Sequence, residues 1–162
     1  NARLDTQLGT FHWEAEKNLA AVAMTNMKKL AQMNAAFALI AALLPEREGY
    51  SSLYDETLDF LNKLSAPVGA DDAYLRWEIN FLRELGYALA LSRCASCGEI
   101  ENLNYLSPRT GRAVCDNCAA PYLDKVYNLP LNLGITMRFI SHVCESQGVN
   151  VPVARQILIK HN

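Results

Sequence analysis

Four cysteines define the clearest chemistry in this sequence. Cys94-Ala95-Ser96-Cys97, followed by Gly98, is answered by Cys115-Asp116-Asn117-Cys118, with seventeen residues between the two pairs. Two C-x-x-C pairs at this spacing suit a four-thiolate zinc site. Each pair folds into a tight knuckle whose sulfurs face one tetrahedral ion, and the spacer is long enough for a hairpin. A single C-x-x-C would serve as a redox dithiol, but the second pair and the glycine after the first knuckle favour metal. Four thiolates leave no coordination position for water or substrate, so the expected Zn2+ is structural and holds a fold.

Other constellations are weaker. His12-Trp13-Glu14 matches the H-x-E of zinc deaminases, which also use C-x-x-C, but neither cysteine pair follows a proline and the four cysteines already complete a closed site. No Gly-rich phosphate loop, nucleophile elbow or H-E-x-x-H helix occurs. His142 and His161 are isolated; His142 reads as a partly buried helical side chain and Cys144 as a small core residue. These patterns favour a protein that is not an enzyme.

Two sets of arginines are candidate binding groups. Arg76, Asn80, Arg83 and Tyr87 follow i, i+4, i+7, i+11 and form one polar stripe on a helix. Arg76 has Asp72 four residues earlier as an ion-pair candidate, whereas Arg83 has no acidic residue three or four positions away. A guanidinium so placed suits a carboxylate or phosphate of a partner; a solvated helix face is the plainer alternative. Arg109 and Arg112 flank a turn, with Lys125 further along and Tyr105 as a stacking surface, a combination suited to a nucleic-acid backbone. Glu99, Glu101, Asp116 and Asp124 dilute that patch towards an ordinary mixed surface.

The elements that must position these residues follow from length and pattern. The chain has 162 residues, 51% of them hydrophobic, enough for a real core. Its net charge is -2; residues 1–91 carry eight basic and twelve acidic side chains, and residues 92–162 seven and five, so no strongly basic footprint is visible in the totals. Five cysteines, four of them in a metal pattern, fit a reducing cytoplasm. The most apolar run, Ala35 to Leu44, is too short to span a membrane and reads as a buried core helix.

Helical periods dominate both ends. Leu19 to Leu44 predicts one or two helices with Met27, Leu30, Phe37, Ile40 and Leu44 in step, Thr25 as an internal cap and Pro45 as terminator. Ser52 and Asp55 resemble a capping box opening a helix that carries Leu53, Leu58, Leu61 and Leu64 and ends by Pro67. Asp71 or Asp72 caps a helix over Tyr74 to about Leu89, with Leu75, Ile79, Leu82 and Gly86 on one face and Gly86 suited to close approach. The period then breaks. Leu103 to Leu106 alternates like a strand, Ser107 to Gly111 is a turn, and Arg112 to Val114 returns. Helices resume over Leu131 to Gln147, with Ile135, Phe139 and Val143 on one side and Gly148 as C-cap, and from near Pro152 to Asn162. The expected fold is mainly α, a helical bundle with an inserted β-hairpin stapled by zinc on four cysteines. Its divisions are a helical part over 13–91, the zinc hairpin lobe over 92–124 and a second helical part over 125–162.

At LGYALALSRCASCGE and LNYLSPRTGRAVC the chain resembles the bacterial RecO family of recombination mediators. Arg76-Trp77-Glu78-Ile79, Leu82, Leu85-Gly86, Leu91-Ser92-Arg93-Cys94 and Tyr105 through Val114 match the family's helix and hairpin patterns, and Leu44-Pro45-Glu46-Arg47-Glu48 its L-P-E-R-E loop. Ala2 to Asp5 and Leu8 to Phe11 look like the last strands of that family's amino-terminal OB-fold, so residues 1–12 are expected to be a remnant of an upstream domain. The resemblance implies a cytoplasmic, nucleoid-associated, non-enzymatic protein of recombinational repair. It would work with RecR, engage the acidic tail of single-stranded DNA-binding protein through Arg76 or Arg83, and help load RecA, with DNA binding weak or absent without the OB-fold. The competing reading is a redox-responsive regulator whose cysteine pairs release zinc and form disulfides.

Overall fold

A computed structural model describes residues 19–160 apart from positions 25 and 67. The His12-Trp13-Glu14 triplet, the expected OB-fold remnant over 1–12, Thr25, Pro67 and His161 lie outside the described residues. The order of elements is α1 (Leu19–Met24), α2 (Met27–Leu43), α3 (Ser51–Leu64), α4 (Ala70–Glu84), β1 (Tyr105–Leu106), β2 (Ala113–Val114), α5 (Asp116–Ala119), β3 (Tyr127–Asn128), α6 (Leu133–Ser146) and α7 (Val153–Lys160). A helical body with a small inserted sheet is therefore the architecture, as the hydrophobic periods indicate.

Asn26 starts α2: its side-chain oxygen accepts from the backbone N–H of Lys28 at 2.9 Å and of Lys29 at 3.2 Å, satisfying donors that the first turn leaves free. The buried face of this helix differs from the expected one. Gln32, Ala35, Ala36, Leu39 and Leu43 are buried, whereas Met27 is 80% and Phe37 46% exposed. The reason is that α2 packs along α7, and a helix pair can close on a face of small residues more readily than on one carrying Phe37.

Helix α3 begins at Ser51 without a side-chain cap, so Ser52 lies inside the helix and opens no capping box. Phe60 and Thr57 join Leu53, Leu61 and Leu64 in its buried face, while Leu58 turns outward. Helix α4 is preceded by Gly69 in the left-handed region; Asp71 and Asp72 sit in its first turn instead of capping it. Asp71 accepts from Lys28 and from Gln32, each at 2.6 Å, and so ties α4 to α2. The face of α4 that enters the core is Ala73, Tyr74, Trp77, Glu78, Phe81 and Leu82, with Leu75 and Ile79 only half-buried. Trp77 stacks on Phe81 at 5.2 Å and packs beside Phe60 and Tyr74, an aromatic cluster that joins α3 to α4.

Helix α4 ends at Glu84, short of the Leu89 that its periodicity suggests. Gly86 has φ +85, its N–H donates to the Arg83 carbonyl at 2.9 Å, and the Tyr87 N–H donates to the Leu82 carbonyl at 2.8 Å, the paired bonds of a Schellman stop. A Cβ at Gly86 would meet nothing, so this glycine serves backbone conformation and not close approach. Close approach belongs to Gly111, where a Cβ would lie 2.8 Å from Leu89 Cδ2 and φ is +64.

The hairpin forms with Tyr105 opposite Val114 and Leu106 opposite Ala113. A third strand, with no counterpart in the sequence pattern, joins it. β3 pairs antiparallel with the other edge of β1, giving the order β2-β1-β3. Leu106 is fully buried in the same apolar cluster as Phe139, Ile140 and Leu82, so the hairpin shares the helices' core. Asn132 caps α6 by accepting from Gly134 and Ile135, and Gly148, at φ +69, follows its end. No described helix is long and apolar enough to cross a membrane.

Candidate metal centre and surrounding surfaces

The two knuckles are built by backbone geometry that the hairpin imposes. In the first, the Gly98 N–H donates to the Cys94 carbonyl at 3.0 Å with Gly98 at φ +80, and the Ser96 N–H points at the Cys94 sulfur at 3.4 Å. The Ala95 N–H donates to the Ala113 carbonyl at 2.8 Å, tying this knuckle to β2. In the second, Cys115 directly precedes α5, and the Ala119 N–H returns to its carbonyl at 2.9 Å. Asn104 donates to the Asp116 carboxylate at 2.9 and 3.1 Å, bracing the second knuckle against the residue before β1.

These supports bring the four sulfurs of Cys94, Cys97, Cys115 and Cys118 within 4.8 Å of one another. A tetrahedral ion with Zn–S bonds of about 2.3 Å requires sulfurs about 3.8 Å apart. The Cys97 and Cys115 sulfurs lie 3.6 Å apart. The donor set therefore fits a closed, four-thiolate metal site. Burial pushes the Cys94 thiol up, but hydrogen bonds from the backbone of Cys115, Cys97 and Ser96 outweigh it and bring its pKa down to about 6. Hydrogen bonding with Cys97 and Cys115 pushes Cys118 up to about 12. The hydrogen bonds within the cluster thus lower one thiol and raise another.

The expected binding arginines fall in separate places. Arg76 is exposed on α4 and, among the described residues, has no ion-pair partner; Asp72 does not reach it. Arg83 is exposed and donates to the side-chain oxygen of Asn80. Tyr87 leaves the stripe because the chain turns at Gly86; it packs edge-on to His142, with ring centroids 5.9 Å apart. His142 is exposed, not partly buried: it follows Phe139 by three positions on α6 and lines with it the cleft beside the turn at Gly86. Cys144 is buried, and burial raises its pKa.

Arg109 and Arg112 are both exposed at the hairpin. Arg109 lines a groove of about 720 Å³ with Lys125 and Tyr122, and the wall of this groove includes Cys118. Tyr105, expected as the stacking surface, is half-buried in the middle strand; Tyr122, which is 55% exposed, takes the groove position instead. Arg112 lines neither this groove nor the adjoining cleft of about 300 Å³ between the turn at Gly86 and α6.

One cluster escaped the sequence analysis. Glu78 and Arg155 are fully buried and form an ion pair in which Arg155 Nε donates to Glu78 Oε1 and Nη2 donates to Oε2 at 2.9 Å. Thr136 Oγ1 donates to Glu78 Oε2 at 2.6 Å, Tyr74 donates to Oε1 at 3.2 Å, and Arg155 Nη2 also reaches the Leu133 carbonyl at 2.9 Å. The pair joins α4, α6 and α7. The legible signal was a charged residue in step with apolar ones: Glu78 follows Tyr74 by four, and Arg155 precedes Leu158 by three.

Comparison with known proteins identifies the lineage. Residues 24–145 match the family described as "Recombination protein O C terminal". The chain is 41% identical over 130 residues to the DNA repair protein RecO of Ruegeria sp., covering 80% of this chain and 54% of that protein. It is 44% identical over 131 residues to the namesake of Rhodospirillum centenum, covering 80% of this chain and 52% of the relative. A third, from Cereibacter sphaeroides strain ATCC 17025, is 36% identical over 173 residues, covering 98% of this chain and 72% of that protein. Against the first two, the chain spans about half the relative's length. No solved structure matches it. With the helical core, the hairpin and the cysteine cluster all lying largely within the matched region, the chain belongs to the RecO family.

Proposed function

We propose that this chain is the helical and zinc-bearing part of a recombinational repair mediator that works by binding and not by catalysis. The observation that carries the reading is the family match over most of the helical core and the hairpin, together with a closed four-thiolate site that leaves no position for substrate. Cys94, Cys97, Cys115 and Cys118 would hold Zn2+, which ties the knuckles together and supplies no reactive group.

In this reading the exposed guanidinium groups of Arg76 and Arg83 receive the acidic tail of single-stranded DNA-binding protein. RecR is a further partner, RecA is loaded on the single-stranded DNA, and Arg109, which lines the groove beside the second knuckle, supplies a contact to the DNA backbone, whereas Arg112 lies outside that groove. Anisotropy of a labelled acidic tail peptide tests the first contact. Arg76→Glu with Arg83→Glu is expected to weaken binding at least tenfold, and unchanged affinity would remove these arginines from the reading.

A second reading has one supporting observation: Cys97 is exposed at the rim of the cluster, where an oxidant can reach it. A redox-responsive regulator would lose zinc under mild peroxide and change its tail or DNA affinity in step; zinc loss with unchanged affinities would dismiss it.

A further inference from the structure

We infer that the groove beside the second zinc knuckle is a docking site for single-stranded nucleic acid, with Tyr122 as the stacking platform and Arg109 and Lys125 as the phosphate contacts. The inference deepens the mediator reading and rests on it, since it assigns DNA binding to a surface outside any OB-fold.

The chemistry of the groove is selective. Its lining includes Arg109 and Lys125, the hydroxyl-bearing Ser96, Ser107 and Thr110, the aromatic Tyr122 and the apolar Val114 and Val126. No carboxylate lines it. That matters because Glu99, Glu101, Asp116 and Asp124 lie close in sequence and would dilute a basic patch; the fold leaves all four out of the lining of this hollow. Among the described residues, neither Arg109 nor Lys125 has an ion-pair partner, so both charges are available to a ligand.

Tyr122 owes its exposure to local structure. Ala120–Tyr122 form a single 3-10 turn after α5, with Pro121 inside it, and the chain cannot bury three successive side chains there. An exposed aromatic beside two unpaired cations and several hydroxyls is the arrangement that holds single-stranded bases and phosphates without reading sequence. A duplex offers no unstacked base for Tyr122, so single strands are favoured over duplex.

Cys118 of the second knuckle and Ala95 and Ser96 of the first all line the groove, so both knuckles border it. Arg109 sits at the hairpin turn shared with the adjoining cleft, whose lining also lacks a carboxylate. Arg112, one strand position beyond the turn, lines neither hollow and is not part of the site.

The test is anisotropy of a fluorescein-labelled oligo(dT) with the 162-residue chain across a salt series. Each single-strand phosphate contact contributes about 0.7 to the slope of log affinity on log salt, so Arg109→Glu with Lys125→Glu is expected to make the slope shallower by about 1.4. Tyr122→Ala is expected to weaken binding on the order of tenfold and Tyr122→Phe to leave it unchanged, because stacking needs the ring and not the hydroxyl. Arg112→Glu is expected to alter affinity far less than the Arg109 and Lys125 changes. Zinc content and circular dichroism of each variant establish that the lobe is folded. Unchanged affinity and slope in the double variant, or equal losses in Tyr122→Phe and Tyr122→Ala, would overturn the inference, as would wild-type protein that does not bind the oligonucleotide. Tail-peptide binding measured on the same samples distinguishes these failures from failure of the mediator reading.

Discussion

Replacing Arg155 by methionine gives the sharpest test of how the helices are held together. The substitution keeps most of the side-chain volume but removes the guanidinium from a carboxylate that has no access to water. Glu78 would retain only the Thr136 hydroxyl at 2.6 Å and the Tyr74 hydroxyl at 3.2 Å, and the Leu133 carbonyl would lose a donor. Breaking a buried pair from one side typically costs about 3–5 kcal/mol, because an uncompensated charge is left in a medium of low dielectric constant. A domain of ordinary stability, about 5–15 kcal/mol, survives that loss but with a visibly lower urea midpoint. The double variant Glu78→Leu with Arg155→Met removes both charges and leaves neutral hydroxyls, each worth on the order of 1 kcal/mol, so it should be more stable than Arg155→Met alone. Urea unfolding followed by far-UV circular dichroism and by tryptophan fluorescence, with Trp77 buried beside Glu78, completes the cycle. A loss below about 1 kcal/mol for Arg155→Met, or a double variant no more stable than Arg155→Met, would refute the buried-pair argument.

Cys94→Ser and Cys115→Ser should each abolish stoichiometric zinc and loosen the hairpin while the aromatic cluster of α3 and α4 stays ordered; full metal occupancy by elemental analysis in either variant would contradict the ligand assignment. Gly111→Ala should destabilise more than Gly86→Ala. Both glycines have positive φ, costing an alanine about 1–2 kcal/mol, but only at Gly111 does the new methyl meet Leu89, at 2.8 Å. Thermal melts giving the reverse order would count against that packing. Tyr74 supplies an alkaline prediction: burial first, then the Glu78 charge, hold its pKa well above the usual value of about 10. The unfolded chain therefore ionises first, so this contribution is intact below about pH 10 and declines as pH rises above it. Tyr74→Phe should flatten the stability-against-pH curve in that window, and an unaltered slope would dismiss the assignment.

The hairpin and knuckles were legible because their signals are local. The C-x-x-C spacing, Gly98 and the S-P-R-T-G turn act within a few residues, and the pairing of Leu106 with Ala113 follows from them. Helix existence was legible for the same reason, while the buried faces were not. In α4 the leucine-based period pointed to Leu75, Ile79, Leu82 and Gly86; Leu82 is buried, yet Tyr74, Trp77 and Phe81 fill the rest of the inward face, because α3 presents Phe60 to Tyr74 and Trp77 at a position that depends on the fold. Phe37 was misplaced likewise, since only the approach of α7 decides which side of α2 is covered. The third strand, β3, has two residues and no period long enough to read.

The sequence by itself therefore determined the four-cysteine cluster that could hold a metal, the alternation of helix and hairpin, and the lineage, all properties carried by residues close together in the chain. Tertiary structure decided the rest. It joined Glu78 to Arg155 across 77 positions, turned Tyr122 and not Tyr105 towards Arg109 and Lys125, and kept the acidic residues out of that groove. The physical reason is that a charge becomes a pair, a patch or a solvated side chain according to what the fold places within a few ångströms of it, and that neighbour is set by packing across the core.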